Sequence, residues 1–267
     1  MKFNMISDTF AHVNSSTLGK TPTYFGWDFK TKDNDISFYI DGDISKGVED
    51  KNDGKRKFLW GLESRHFNSN FFNHVKDNLD TIFETYDMIF TYNDELCELD
   101  ERIKWVPAMG YWINNPRLYT KSKLISMITS RKTMTDQQTF RVNFADSNKH
   151  KLDLFGNGYQ PIPEKEFGLT KYMFSVCIEN DTYDTYFTEK ILDCFASATI
   201  PVYKGTKNVT RYFNPDGIIF LDDYNIDDLT PELYYSKLDA VKDNLNRVLE
   251  FNSIEDWIYN KYLKEVI

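Results

Sequence analysis

CIENDTYDTYFTEKILDCFASATIPVYKG, residues 177–205, decides the fold. It begins inside the apolar run YMFSVCI (172–178), which reads as a buried strand, and passes through a polar and aromatic loop at 179–187. A helix at 189–198 and a strand at 201–203 follow. Strand, helix and strand in that order form a βαβ unit, which implies a parallel sheet. Ile191, Leu192 and Phe195 supply the helix's packing face, and Ala196, Ser197 and Ala198 are small enough to approach a sheet closely. Thr188 suits the N-cap, where its hydroxyl can accept from an early N–H. Glu189 suits the positive end of the helix dipole, but Lys190 is disfavoured there by about 0.3–1 kcal/mol. An anion bound at the helix start would account for the lysine. A lysine that simply reaches solvent is the plain alternative.

The same alternation extends outward. Short apolar runs at 3–7, 36–40, 56–62, 87–92 and 103–108 read as strands. Phe71, Phe72, Val75, Leu79, Ile82 and Phe83 recur at helical spacing, which predicts one helix over 68–85. INNPRLYTKSK (113–123) is polar and carries a turn signal, so the expected domains are 1–115 and 120–267. Beyond it, strands at 124–128, 151–156, 172–178, 201–203 and 217–221 alternate with helices near 134–147 and 189–198, and the segment from 230 onward is mostly helical. The fold class is therefore α/β, two Rossmann-like domains facing a cleft. In such sheets ligands bind at the carboxyl ends of strands beside helix starts, and the opening stretch is such a place.

Composition narrows the function. The chain has 267 residues, a formal charge of −9 and 16% aromatic residues. That balance excludes general binding to nucleic acid or to an anionic membrane, while leaving room for a local basic pocket. Cys97, Cys177 and Cys194 lack metal-ligand spacing, and Cys177, in an apolar run, and Cys194, in the expected helix, read as reduced core residues. The histidines, His12, His66, His74 and His150, are scattered. The first residues lack a signal peptide's apolar core and no run is long enough to cross a bilayer, so the expected location is cytoplasmic.

Phe174, Cys177, Glu179, Asn180, Tyr186, Thr188, Glu189, Lys190, Ile191, Ile200, Pro201, Tyr203 and Gly205 together resemble the C-terminal signature of the α-1,3/1,4-fucosyltransferases, glycosyltransferase family 10. YFNPDGIIFLDDY (212–224) is similar to the segment that follows it in the family, and 126–159 to a strand, an arginine-bearing helix and a second strand end. FLWGLES (58–64) resembles the family's strand ending in Glu-Ser-Pro, with Arg65 in place of the proline. Other departures are Ser197-Ala198-Thr199, where the family often has a glycine, and Lys204, where it commonly has an aromatic residue.

The resemblance implies the two-domain GT-B arrangement and an inverting transfer of L-fucose from GDP-β-L-fucose to a hydroxyl of a glycan acceptor, α-1,3 in linkage. It implies Glu63 as catalytic base, and Arg141, Asn180, Tyr186, Glu189 and Lys190 as donor-binding residues. No metal site is implied; Mn²⁺ or Mg²⁺ would at most stimulate. From spacing alone, Arg141 reads as a surface helix residue and Glu63 as a strand-end carboxylate. Two alternatives stand beside the transferase: another nucleotide-sugar donor on the same fold, and a non-catalytic nucleotide-sugar-binding relative. Asp41-Gly42-Asp43 looks like a metal-binding Asp-x-Asp but is expected to be a solvated turn, and FGNGY (155–159) a turn at a strand end.

Overall fold

The computed structural model describes every residue except 9, 11–13, 31–32, 51–54 and 184, so His12 lies outside the described residues. The chain forms two units. Unit 1 comprises Met1–Gly110, Tyr183–Tyr186 and Asn252–Ile267; unit 2 comprises Tyr111–Thr182 and Phe187–Phe251.

Unit 2 is built on five parallel strands, β7 (Lys123–Ile128), β8 (Asp153–Phe155), β9 (Tyr172–Ile178), β10 (Ile200–Lys204) and β11 (Ile219–Phe220), in the order β11-β10-β9-β7-β8. Every residue of β9 is buried. A central parallel strand covered on both faces needs a nearly continuous apolar run, and YMFSVCI supplies it, with Ser175 hydrogen-bonded to Ser126 of β7. The helices of this unit are Asp136–Ser147, Glu166–Leu169, Glu189–Ala196, Pro231–Ser236 and Leu238–Val248. In Glu189–Ala196, Ile191, Leu192 and Phe195 are buried as their spacing predicts. Ala198 follows that helix at φ +54°, a left-handed conformation that glycine adopts without strain, so the family's glycine at this step has a physical reason.

Unit 1 has six parallel strands: β1 (Lys2–Ile6), β2 (Gly26–Asp28), β3 (Ile36–Ile40), β4 (Arg56–Gly61), β5 (Met88–Thr91) and β6 (Ile103–Trp105), in the order β2-β1-β3-β4-β5-β6. Strand β2 is too short to show a period in sequence; Trp27 anchors it in the core against Phe38. The helix expected over 68–85 is instead two, Arg65–Asp77 and Leu79–Phe83, parted at Asn78. The two sheets share one winding. In each, the second strand lies outside the first and the third lies on the first strand's other side, so the order reverses between first and third strands.

Residues 252–267 correct the expected division at 120–267. They belong to unit 1, where Ile254, Ile258 and Leu263 pack in one core with Phe3, Phe25 and Trp27. The buried Glu255 carboxylate fixes the join by accepting from Ser15 Oγ (2.8 Å), Ser16 N (2.6 Å) and Trp27 Nε1 (3.0 Å). A buried carboxylate is tolerated only when donors surround it, and these donors come from the chain's first residues. Among the described residues no helix is long and apolar enough to cross a membrane.

Candidate nucleotide-sugar site

Unit 2 holds a cavity of about 480 Å³ at the carboxyl ends of β7 and β9, where its strand order reverses. That is the ligand crevice of a doubly wound sheet. Thr129 and Ser130 leave β7 into it, Ser175, Val176 and Cys177 form its floor, and Glu189, Lys190 and Asp193 face it from the helix Glu189–Ala196. The FGNGY turn forms as expected and brings Asn157 into the lining. Gly156 makes this possible: it lies at φ +108°, and a Cβ there would sit 2.1 Å from the Thr129 carbonyl oxygen.

Arg141 is not a surface residue. It is 6% exposed, and its Nη1 donates to Asn180 Oδ1 (3.1 Å) and the Ile178 carbonyl (3.4 Å). The guanidinium therefore lies across the end of β9. Asn180 lines the cavity beside it.

The lysine at the helix start has a protein partner. Lys190 Nζ lies 3.2 Å from Glu179 Oε2 and 3.7 Å from Glu189 Oε1, and donates to Thr188 Oγ1 at 2.9 Å. Glu179 is fully buried at the end of β9 and also accepts from Thr188 N and Oγ1. Burial opposes charge on Lys190, but Glu179 and Glu189 outweigh it and lift the pKa above the ordinary lysine value. Burial likewise opposes charge on Glu189, yet Lys190 and then Lys165 hold its pKa down to about 2. Both groups are ionised at neutral pH.

A second network escaped the sequence reading. Lys165 Nζ lies 2.7 Å from Asp193 Oδ2, 3.4 Å from Glu189 Oε1 and 4.0 Å from the centre of the Trp112 ring. Asp193 Oδ1 accepts from Trp112 N (2.6 Å) and Ile113 N (3.3 Å), fixing the segment that enters unit 2. A sequence signal existed: Glu189 and Asp193 are one helical turn apart, and like charges so placed oppose a helix unless a cation lies between them. Lys165 is that cation. Lys132 adds a further positive charge to the lining.

The other two expected site residues lie in unit 1. Glu63 is exposed just beyond β4, with Oε1 accepting from Ser64 N (2.7 Å) at the start of the helix Arg65–Asp77. Tyr186, expected at the donor, is absent from the lining of the unit 2 cavity. Its ring is buried in the unit 1 core, 5.0 Å from that of Tyr92, because Tyr183–Tyr186 fold with unit 1. His66, His74 and His150 are exposed. Among the described residues no group of histidine, cysteine and carboxylate side chains could hold a metal ion.

Residues 118–258, more than half of the chain, match the model of glycosyltransferase family 10 (fucosyltransferase), C-terminal part. The chain belongs to this family. A curated relative, the α-(1,3)-fucosyltransferase FucT of Helicobacter pylori, is 38% identical over 79 residues. That stretch is 29% of this chain and only 16% of the relative. Among solved structures, an α1,3-fucosyltransferase superposes with a TM-score of 0.51 at 19% identity, covering 83% of this chain and 72% of its own. An α1,3-fucosyltransferase crystallised with GDP-fucose gives 0.49 at 16% identity over 94% and 82%. The first superposition agrees with the fold class expected from sequence, two parallel α/β units of the GT-B kind. Within the family match, Arg141, Asn180, Glu189 and Lys190 all line the one cavity.

Proposed function

We propose that this chain transfers L-fucose from GDP-β-L-fucose to a hydroxyl of a glycan acceptor, with inversion and in α-1,3 linkage. The observation that carries the reading is the convergence of Arg141 and Lys190 at the end of β9, above a helix start, in a family 10 chain. The acceptor oxygen forms its bond to C1 of fucose as the bond from C1 to the diphosphate oxygen breaks. The departing electron pair goes to GDP, where Arg141, Lys190 and the first N–H groups of the helix meet the growing charge. Glu63 takes the acceptor proton. Glu189, ionised and facing the cavity, accepts from ribose hydroxyls. With cations of its own at the diphosphate, the site needs no metal, and Mn²⁺ or Mg²⁺ is at most a stimulant. The reading places the reaction in the cytoplasm.

The test is thermal melting with GDP, UDP, CDP or dTDP, with and without Mn²⁺, followed by transfer from GDP-fucose. GDP at a hundred times its Kd adds about 2.7 kcal/mol, a rise of about 5 °C or more for a chain of this size. A shift with UDP or dTDP instead overturns the donor. A shift with GDP but no transfer to any glycan overturns catalysis and leaves a binding relative.

A further inference from the structure

Asp41-Gly42-Asp43, expected to be a solvated turn, is instead a built part of unit 1: both carboxylates are buried, Asp41 at 9% exposure and Asp43 at 7%. The turn sits where the strand order of this sheet reverses, at the carboxyl end of β3 between β1 and β4. Asp43 Oδ2 accepts from Asp8 N (3.0 Å), just past β1, and its Oδ1 pairs with Lys46 (2.8 Å). Asp41 reaches the other way. Its Oδ1 accepts from Leu62 N (2.7 Å), Glu63 N (3.3 Å) and Asn68 Nδ2 (2.8 Å).

These bonds hold one residue from two sides. The amide of Glu63 is tied to Asp41, and its carbonyl accepts from the hydroxyl of buried Tyr92 at 3.0 Å. The helix Arg65–Asp77 is broken at Asn68 (φ −127°, ψ 29°), the residue whose side-chain amide meets Asp41. Asp41 itself sits at φ +48°, a left-handed conformation unusual outside glycine. Strained backbone and a buried carboxyl at one residue mark a place where the surrounding structure imposes a geometry that local preference opposes. The backbone held there is that of Leu62 and Glu63.

We propose that Asp41 is a positioning residue for Glu63: its carboxyl oxygen Oδ1 fixes the Leu62–Glu63 backbone so that the Glu63 side chain leaves the end of β4 in one direction. The inference rests on the reading of Glu63 as the base, and it assigns the Asp-x-Asp element to the acceptor side of the chemistry rather than to a metal.

The experiment compares Asp41→Gly and Asp41→Asn with the parent. Glycine removes the carboxylate and accepts the left-handed backbone, so unit 1 keeps its fold; Asp41→Ala serves as a second loss variant. Asparagine keeps an oxygen able to accept all three bonds. Hydrogen exchange on the peptide 58–67 should quicken at least tenfold at Leu62 and Glu63 in Asp41→Gly and return to within threefold of the parent in Asp41→Asn. In transfer from GDP-fucose, Asp41→Gly should lose at least tenfold in kcat, with KM for GDP-fucose and affinity for GDP within twofold of the parent; Asp41→Asn should recover kcat. Unchanged exchange in both loss variants overturns the inference whatever the activity. Parental kcat in Asp41→Gly, with Glu63→Gln inactive, overturns it while sparing the catalytic role of Glu63. Parental activity in Glu63→Gln overturns both.

Discussion

Replacing Lys190 by methionine keeps its stem and removes its charge, and so separates two reasons for a lysine at a helix start. In the protein, the ammonium neutralises Glu179, which is fully buried. Breaking a buried ion pair costs about 3–5 kcal/mol. Here Glu179 keeps two donors from Thr188 and the lysine is 21% exposed, so the expected loss is smaller, about 2 kcal/mol or 4–8 °C in Tm. At the ligand, a lost charge-assisted contact to phosphate is worth about 1.5–3 kcal/mol, a ten- to hundredfold rise in Kd for GDP. Both effects weaken the single variant, so it decides nothing alone. The double variant Glu179→Gln/Lys190→Met does decide, because glutamine can still accept from Thr188 and no buried charge is left without its partner. Its Tm should return to within about 2 °C of the parent, while calorimetric titration should still show the loss of GDP affinity. A double variant that binds GDP within twofold of the parent refutes the ligand role and leaves Lys190 as a counter-ion for Glu179.

Two other outcomes are expected. Arg141→Lys keeps the charge but loses the planar guanidinium, whose Nη1 holds both the Ile178 carbonyl and Asn180 and whose fork suits phosphate; GDP affinity should therefore fall about tenfold, and parental affinity by titration would show that a point charge suffices. Burial raises the Asp41 carboxyl to about 7 from an ordinary 3.8, so the folded protein keeps a proton that the unfolded chain has released. The stability carried by that proton is complete below pH 3.8 and is lost as pH rises to 7, about 4 kcal/mol in all. Asp41→Asn should remove this slope from urea melts taken between pH 4 and 7, and identical slopes in parent and variant would contradict the burial argument.

Unit 2 was legible from sequence because its signals are local. YMFSVCI is apolar but for Ser175, Thr188 caps the next helix, and Ile191, Leu192 and Phe195 repeat at helical spacing, so strand, helix and crevice follow from neighbouring residues. Arg141 could be placed only through resemblance: one arginine in a weakly amphipathic helix gives no sign of reaching the next strand. What the sequence hid are pairings between distant residues. Lys165 meets Asp193, Asp41 meets Leu62, and Glu255 meets Ser16, none of which any period encodes. Tyr186 shows the converse. A motif put it among donor contacts, but a tyrosine inside a polar loop can equally turn its ring into a core, and this one packs on Tyr92.

The return of residues 252–267 to unit 1 bears on how the protein is made and how it can be cut. The strands of unit 1 leave the ribosome before those of unit 2, yet Ser15, Ser16 and Trp27 wait for Glu255, and the Phe3 cluster for Ile254 and Ile258. The half begun first is thus completed last, after the whole of unit 2 has been synthesised. A fragment ending near residue 110 lacks part of its own core. A chimera that exchanges unit 1 between relatives must therefore carry 183–186 and 252–267 along with the first hundred residues, since a single crossover point divides the gene without dividing the fold.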